Sequence, residues 1–326
     1  MKRLKLDENI ASDIIVWAAI GGIGGAKLAL GLNNILDQKN LSIITNTGDD
    51  FLYLGFYICP DIDTVIYTLA GVNNPDTGWG REDETWKTLD VLKELGADTW
   101  FQLGDKDLAL HLFRSKEKRE GELLTTITRK ITNKFGLKTN VLPMSNHAVQ
   151  TILETENGEI SFQDYFVRQK CTPKVSNILF KSKKPVATDA VKKALSDKKL
   201  DGIIFCPSNP YLSIDPILSI NKIKKLIENQ KKPRVVVSPI VGNDSVKGPT
   251  SKIMNEMGIE VSSVSIAEHY KGLIDGIIID ESDGEQADKI KEMGIEVKLS
   301  KIIVKTKEEK TRLAKESIEF IQEIAS

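Results

Sequence analysis

The sequence predicts an α/β protein: a Rossmann-like, mostly parallel sheet flanked by helices, with an inserted, smaller α+β subdomain. Short apolar runs, each followed by polar or turn-forming residues, recur at 14–20, 41–44, 202–206, 234–237 and 273–279. Runs of this length are typical of strands that are buried on both faces of a parallel sheet. The first run leads through a glycine loop into a helix-forming segment, and the chain closes with an amphipathic segment at 308–324 that predicts a core-packing helix.

The predicted Rossmann-like domain is made of two segments, 13–107 and 185–326. The part between them, 108–184, has a different character, because charged helical segments and short β-like runs replace the apolar strands. These segments lie at 108–114, 123–135, 151–153 and 160–162. We expect most of the charges in this part to lie on solvated helix faces. We interpret 108–184 as an inserted subdomain.

Composition excludes several classes of protein. The chain has 326 residues, with Lys+Arg 45 against Asp+Glu 46, and it has no basic block interleaved with aromatic residues, so a nucleic-acid partner is disfavoured. Cys59, Cys171 and Cys206 are widely spaced and form no CxxC pair, which favours reduced thiols over a disulfide framework or zinc site. No apolar stretch approaches the ~20 residues of a membrane span. These features predict a cytoplasmic protein with no membrane partner.

A glycine-rich loop at 21–27 follows the first predicted strand and precedes a helix-forming segment. This layout directs backbone N–H groups and a helix N-terminus at an anion, so Gly22, Gly24, Gly25 and Lys27 are candidate phosphate-binding residues. The loop is neither a P-loop nor a complete GxGxxG motif, because Lys27 stands where the third glycine would be. The alternative interpretation is a tight turn between strand and helix.

An acidic cluster follows the second predicted strand. Asn46, Asp49 and Asp50 come directly after the apolar run 41–44, and Asp63 follows a little later, just beyond a proline. In parallel α/β sheets, ligands bind beyond the carboxyl ends of the strands. Mg²⁺ takes one or two carboxylates and completes its shell with water and phosphate oxygens. The cluster therefore predicts a phosphate-linked Mg²⁺ site, and the alternative is an N-capped turn.

Two further groups are candidates for ligand binding. Trp86 follows a polar loop dense in turn formers, where its ring could stack on a flat heterocycle or pack inward. Ser208 and Asn209 lie in a proline-flanked turn after a predicted strand, and such polar groups suit recognition of a nucleoside. The three histidines are far apart in sequence, and no Ser-His-Asp order indicates a hydrolase. Together the candidates favour phosphoryl-type transfer, in which catalysis is mostly positioning and charge neutralisation.

The sequence resembles the 2-phospho-L-lactate transferases of coenzyme F420 biosynthesis. The resemblance extends over nearly the whole chain and rests on short strings, in the same order, at 21–27, 46–50, 58–64, 79–86, 103–109, 207–210 and 238–242. It implies a Rossmann-like domain with an inserted subdomain, and a homodimer.

The implied reaction moves a phospholactyl-type group from a guanosine diphosphate-linked donor to the ribityl hydroxyl of the deazaflavin Fo, and it releases GMP. Lactyl, enolpyruvyl and glyceryl donors remain alternatives. The resemblance implies that Asp49 and Asp50 hold Mg²⁺ and the bridging phosphates, and that Asp63 contacts the acceptor. Gln102 stands where archaeal members carry a lysine, at the position of a second acceptor contact. Asp50 or Asp63 could accept the proton of the hydroxyl.

Two other functions compete with this one. A non-catalytic regulator of the gluconeogenesis factor type shares a glycine loop and an Asn-rich strand end and binds nucleotide-sugars. The acidic string at 58–64 and the aromatic loop at 79–86 argue against it. An NAD-type dehydrogenase is disfavoured because the glycine motif is incomplete.

Overall fold

The structure is a computed structural model that describes residues 16–21, 23–246 and 248–326. The candidate phosphate-binding residue Gly22 and the first two residues of the apolar run at 14–20 lie outside the described residues. The strands are β1 Val16–Gly21, β2 Leu41–Thr45, β3 Phe51–Tyr53, β4 Phe56–Ile58, β5 Asn140–Pro143, β6 Gln150–Thr155, β7 Gly158–Ser161, β8 Val175–Lys181, β9 Leu200–Phe205, β10 Arg234–Val237, β11 Ile240–Val241, β12 Asp244–Ser245, β13 Gly276–Asp280 and β14 Glu296–Ser300.

Helices connect and cover these strands. They are α1 Ala26–Ile35, α2 Pro60–Ala70, α3 Lys87–Glu94, α4 Asp105–Arg119, α5 Leu124–Lys134, α6 Asp189–Leu195, α7 Asp215–Leu218, α8 Asn221–Glu228, α9 Thr250–Glu256, α10 Ser263–His269, α11 Ala287–Lys291 and α12 Lys307–Ala325. A wide helical turn at Pro210–Ile214 leads into α7.

The main sheet has seven strands in the order β14-β13-β10-β9-β1-β2-β5, and neighbouring strands are parallel. Its strands are buried on both faces: Ile203 and Phe205 of β9 face one hydrophobic core, while Ile204 between them faces a second. Helices α6 and α8 to α11 contribute to the first core, and α1, α2, α5 and α12 contribute to the second. The predicted fold class is confirmed.

The closing helix packs directly on the helix that follows the glycine loop. A Cβ atom added to Gly31 of α1 would lie 2.1 Å from the backbone oxygen of Lys310 in α12, so only glycine allows this approach. The amino end of α12 is fixed by a capping box between Thr306 and Glu309. The predicted core-packing helix at 308–324 is therefore present, and it packs against α1, the helix that follows the glycine loop.

The boundary of the predicted insertion needs a correction. The segment 108–184 does contain a separate antiparallel sheet, in the order β7-β6-β8, and the helices α4 and α5. It also contains β5, which pairs in parallel with β2 at the edge of the main sheet. A strand of the main sheet therefore interrupts the segment. The sequence does not predict this strand, because the short run at 140–143 has too little apolar character to be distinguished locally from a loop.

Within the described residues, no helix combines the length and apolar character that crossing a membrane requires.

Candidate active site

Most of the candidate residues lie at the carboxyl ends of three adjacent strands, where the order of the strands in the sheet reverses. Strand β1 lies between β2 on one side and β9 on the other, and the loops after all three leave the same edge of the sheet. In open α/β sheets, ligands bind in the crevice at such a switch point. The three loops carry the glycine turn, the acidic cluster and the Ser/Asn turn that the sequence singles out.

The glycine loop lies against the turn that follows β9. A Cβ atom on Gly25 would lie 2.5 Å from Cys206 Cβ and 2.8 Å from Ser208 Oγ, and one on Gly24 would lie 3.1 Å from the Pro207 oxygen. Glycine at these positions therefore permits close contact between the two loops. The structure brings the predicted Gly24, Gly25 and Ser208 together.

Lys27 and Asn209 have other contacts at this edge. The exposed Lys27 donates from Nζ to the Val304 oxygen, 3.3 Å away, in the segment before α12. Asn209 caps the turn Pro210–Ile214, because its Oδ1 accepts from the backbone of Tyr211 and Leu212 at 3.0 and 3.1 Å. Its amide Nδ2 is buried without a hydrogen-bond partner. Their roles in phosphate and nucleoside binding stay predictions.

Asn46 organises the acidic loop after β2. Its Oδ1 accepts from the Gly48 N–H at 2.6 Å, while its Nδ2 donates to Asp61 Oδ2 at 2.9 Å and to the Leu212 oxygen at 3.3 Å. The side chain is fully buried and joins the loop to the first turn of α2 and to the turn after β9. The hydrogen bonds of Asn46 therefore fix the position of the acidic loop.

The small antiparallel sheet also holds the acidic loop. The backbone N–H of Thr151 in β6 donates to the Gly48 oxygen at 2.8 Å, and Gln163 Nε2 donates to the Asp49 oxygen at 3.4 Å. The predicted insertion therefore contributes to the site through contacts that fix the backbone of the loop.

Buried carboxylates converge on this place from the loop and from α2. Asp49 and Asp50 lie in the loop, and Asp61 and Asp63 lie in the first turn of α2, which begins at Pro60. Asp61 lies within the string at 58–64 but is not among the predicted site residues. Carboxylates in a first helical turn face the positive end of the helix dipole, which partly offsets their burial.

The pKa values of these carboxyl groups are raised. Burial raises the pKa of Asp49 well above its usual value, and the neighbouring Asp61 and Asp50 raise it further. Burial raises the pKa of Asp50 to about 8, although the Cys59 thiol, which donates to Asp50 Oδ2 at 3.1 Å, and the Arg114 guanidinium oppose the rise. Such crowding of buried acids is costly without a cation.

The donor set fits a hard divalent cation. Asp49 Oδ1 and Asp50 Oδ1 are buried and have no hydrogen-bond partner. No group of three or more His, Cys, Asp or Glu side chains in the part of the chain that the structure describes could hold a metal ion. A pair of carboxylates is nevertheless sufficient for Mg²⁺, which fills its other positions with water and phosphate oxygens. Asp49 and Asp50 stay the predicted Mg²⁺ ligands.

Asp63 differs from the other acids because it is already paired. Arg114 of α4 donates to both of its oxygens, through Nη1 to Oδ2 at 2.9 Å and through Nη2 to Oδ1. The same Nη1 donates to His111 Nδ1 at 3.2 Å, and burial together with Arg114 lowers the pKa of His111, so the imidazole is neutral. The sequence did not identify Arg114, since α4 reads as a charged helix with solvated faces.

The polar loop before α3 is attached to the start of α4. Glu84 accepts from the backbone N–H groups of Lys106 and Asp107, both at 2.9 Å. Asp107 is also buried and accepts from Tyr67 OH at 2.6 Å; burial raises its pKa to about 7. The loop thereby reaches the margin of the acidic cluster through Asp107, whose pKa the Asp63 charge also raises.

The two other candidate acceptor contacts lie before and after α3. Trp86, the residue before α3, is 37% exposed, and Gln102 is exposed in the segment before α4. Within the described residues, neither side chain is hydrogen-bonded or ring-stacked with the acidic cluster. The inward-packing alternative for Trp86 is disfavoured by this exposure, and its contact with a substrate stays a prediction.

Comparison with known proteins identifies the family. The profile of CofD, 2-phospho-L-lactate transferase, matches residues 15–322. The chain belongs to the 2-phospho-L-lactate transferase family. It is therefore an enzyme of the transferase class, and the resemblance carried by the short strings is confirmed.

Individual relatives cover almost the full chain. The 2-phospho-L-lactate transferase of Methanocaldococcus jannaschii is 38% identical over 310 residues, which span 94% of this chain and 98% of the relative. A phosphoenolpyruvate transferase of Streptomyces griseus is 34% identical over 321 residues, covering 95% and 99%. A crystal structure of a upf0052 family protein from Bacillus halodurans superposes with a TM-score of 0.61 at 16% identity, covering 94% and 99%, and shows the shared fold.

The raised pKa of Asp50 predicts how stability depends on pH when metal is absent. At pH values between 3.8, the ordinary pKa of an aspartic acid, and about 8, Asp50 keeps its proton in the folded protein but has lost it in the unfolded chain. Stability should therefore fall as pH rises through this window, by up to about 1.4 kcal/mol per pH unit for one such group. Urea unfolding of wild type and Asp50→Asn in chelator, across this window, isolates the effect as a difference in slope. Equal slopes for the two proteins would contradict the prediction.

Proposed function

We propose that this enzyme transfers a phospholactyl-type group from a guanosine diphosphate-linked donor to the ribityl hydroxyl of the deazaflavin Fo, with release of GMP, in coenzyme F420 biosynthesis. The observation that carries the proposal is the convergence of the glycine turn, the acidic cluster and the Ser208 turn at one switch point of the sheet. A diphosphate needs N–H donors and cations, and a hydroxyl nucleophile needs a nearby carboxylate. The homodimer and the cytoplasmic location belong to the same proposal.

The chemistry requires little covalent machinery from the protein. The acceptor hydroxyl attacks the distal phosphorus of the donor, the bond from that phosphorus to the bridging oxygen breaks, and GMP leaves. Mg²⁺ held by Asp49 and Asp50, when bound, supplies positive charge to the diphosphate and the leaving group. Gly24, Gly25 and Lys27 are proposed to bind phosphate oxygens, and Ser208 and Asn209 to bind the nucleoside. Trp86 and Gln102 are proposed to contact the acceptor.

The choice of proton acceptor follows from which carboxylate atoms remain available. Asp50 Oδ2 accepts from the Cys59 thiol, and Asp50 Oδ1 is one of the two atoms that would hold the metal. A carboxylate offers about four lone-pair sites, and Arg114 uses one on each oxygen of Asp63. Asp63 therefore keeps two sites for the acceptor hydroxyl and its proton, and we assign it that role.

The test is an assay with Fo and donor in the presence and absence of Mg²⁺. We expect GMP release that requires both Fo and Mg²⁺, with a deazaflavin product whose mass reports the acyl group transferred from lactyl, enolpyruvyl or glyceryl donors. GMP is quantified by chromatography and the product by mass spectrometry. Chelator should abolish the release and added Mg²⁺ should restore it. A protein that binds nucleotide-sugars tightly but releases no GMP with any of the three donors would instead be a regulator.

A further inference from the structure

The Arg114 guanidinium is buried beside Asp63. Arg114 is 0% exposed, and it lies on α4, whereas its partner Asp63 lies on α2, 51 residues away in the chain. Both terminal nitrogens donate to Asp63, and Nη1 also lies 3.4 Å from the Tyr57 oxygen. Bidentate pairing of a planar guanidinium with a carboxylate fixes the plane of the carboxylate as well as its position.

A second set of contacts fixes the arginine itself. His111 lies one turn earlier on α4 and accepts from Arg114 Nη1 at 3.2 Å, and its Nδ1 also lies 3.7 Å from Asp63 Oδ2. The neutral imidazole thus lies beside the ion pair and limits the movement of both partners. A buried ion pair adds little net stability, because desolvation offsets the attraction, so this arrangement is better explained by orientation than by stability.

We propose that Arg114 is a positioning residue, which acts through Asp63 by holding its carboxylate in the orientation that leaves two lone-pair sites free for the acceptor hydroxyl. This inference rests on the proposed function, in which Asp63 receives the hydroxyl proton. Because the Arg114 guanidinium is fully buried and both terminal nitrogens donate to Asp63, we infer that Arg114 acts through that carboxylate and not by contact with a substrate. It follows that removing Arg114 affects the reaction only as far as Asp63 contributes to it.

The test is a double-mutant cycle on kcat/KM for the acceptor, measured by GMP release. Arg114→Lys keeps the positive charge but loses the bidentate geometry, and we expect it to lower kcat/KM at least 10-fold. In the background of Asp63→Asn, where no carboxylate remains to be oriented, adding Arg114→Met should change kcat/KM less than 2-fold. A purely structural residue would instead add its loss to that of Asp63→Asn.

The matched control is a second bidentate arginine–carboxylate pair, which lies at the amino ends of the strands, away from the site. Arg234 donates to Asp275 through Nε at 2.9 Å and through Nη2 at 2.7 Å, just where β10 and β13 begin. Arg234→Lys makes the same chemical change away from the site, so kcat/KM per folded enzyme should stay within 2-fold of wild type.

Each outcome decides the inference. Wild-type kcat/KM in folded Arg114→Lys, or a further loss of 5-fold or more when Arg114→Met is added to Asp63→Asn, overturns it. If Arg114→Lys does not fold by circular dichroism, the neutral pair Asp63→Asn/Arg114→Met decides by the same comparison; if that pair does not fold either, Arg114 is a folding residue and the inference fails. Absence of GMP release by wild type is a separate result, which rejects the proposed function.

Discussion

The Asp49→Asn and Asp50→Asn variants are each expected to lower kcat by on the order of 10²-fold or more, the scale that follows loss of one transition-state stabiliser. Asparagine keeps the shape of the side chain but removes the charge that would hold Mg²⁺. The two unpartnered oxygens, Asp49 Oδ1 and Asp50 Oδ1, are the atoms whose loss of charge produces this effect. Both variants should also need more Mg²⁺ for half-maximal GMP release.

The measurement is a Mg²⁺ titration of GMP release for each variant at saturating acceptor and donor. Asp275→Asn provides the control, because it removes a carboxylate at the amino ends of the strands, away from the site, where Asp275 pairs with Arg234. Its kcat and Mg²⁺ requirement should match those of wild type. Wild-type activity in the doubly substituted Asp49→Asn/Asp50→Asn protein would mean that the loop after β2 is a turn without a catalytic role.

The Arg114→Met variant is expected to lose about 3–5 kcal/mol of folding free energy, since it leaves the buried Asp63 carboxylate without its counter-ion. Adding Asp63→Asn should recover a large part of this loss, because a neutral amide costs much less to bury than an uncompensated charge. Urea unfolding of the two variants and of wild type measures both changes.

The pH dependence gives this stability prediction an internal check. Burial already raises the pKa of Asp63 against the opposing effect of Arg114, so removing Arg114 raises the folded-state pKa further above that of the unfolded chain. The loss of stability in Arg114→Met is therefore present at pH values above the folded-state pKa of Asp63 in that variant. It disappears as pH falls through that pKa. A loss in Arg114→Met that is the same at pH 5 and pH 8, or that persists in full with Asp63→Asn, would show that Asp63 is not its source.

The main sheet was predictable because its strands have local patterns. A parallel strand that is buried on both faces is a short apolar run, and β2, β9, β10 and β13 all overlap such runs in the sequence. The sequence places β5 in the insertion, because Asn140 and Pro143 interrupt its apolar character. Its place in the sheet depends on pairing with β2, which lies about 100 residues earlier and leaves no local pattern.

The candidate site, like the sheet, was predictable only in part. Polar groups after strands can be read from the sequence, because parallel strands bring their carboxyl ends to one edge, and Gly24, Gly25, Asn46, Asp49, Asp50 and Ser208 do lie there. Together with the ordered short strings, they also determined the family. How each carboxylate is paired was decided only by the tertiary structure.

Arg114 shows the physical reason. In the sequence it is one of several charges on α4, and local periodicity cannot distinguish a solvated arginine from a buried one. Packing of α4 against β4 brings the guanidinium beside Asp63 of α2, where both oxygens of the carboxylate accept its hydrogen bonds. The sequence by itself determined the fold class, the family and the edge of the sheet where the polar groups collect. The tertiary structure decided that Asp63 is paired while Asp49 and Asp50 keep oxygens without partners, because pairing depends on contacts between distant parts of the chain.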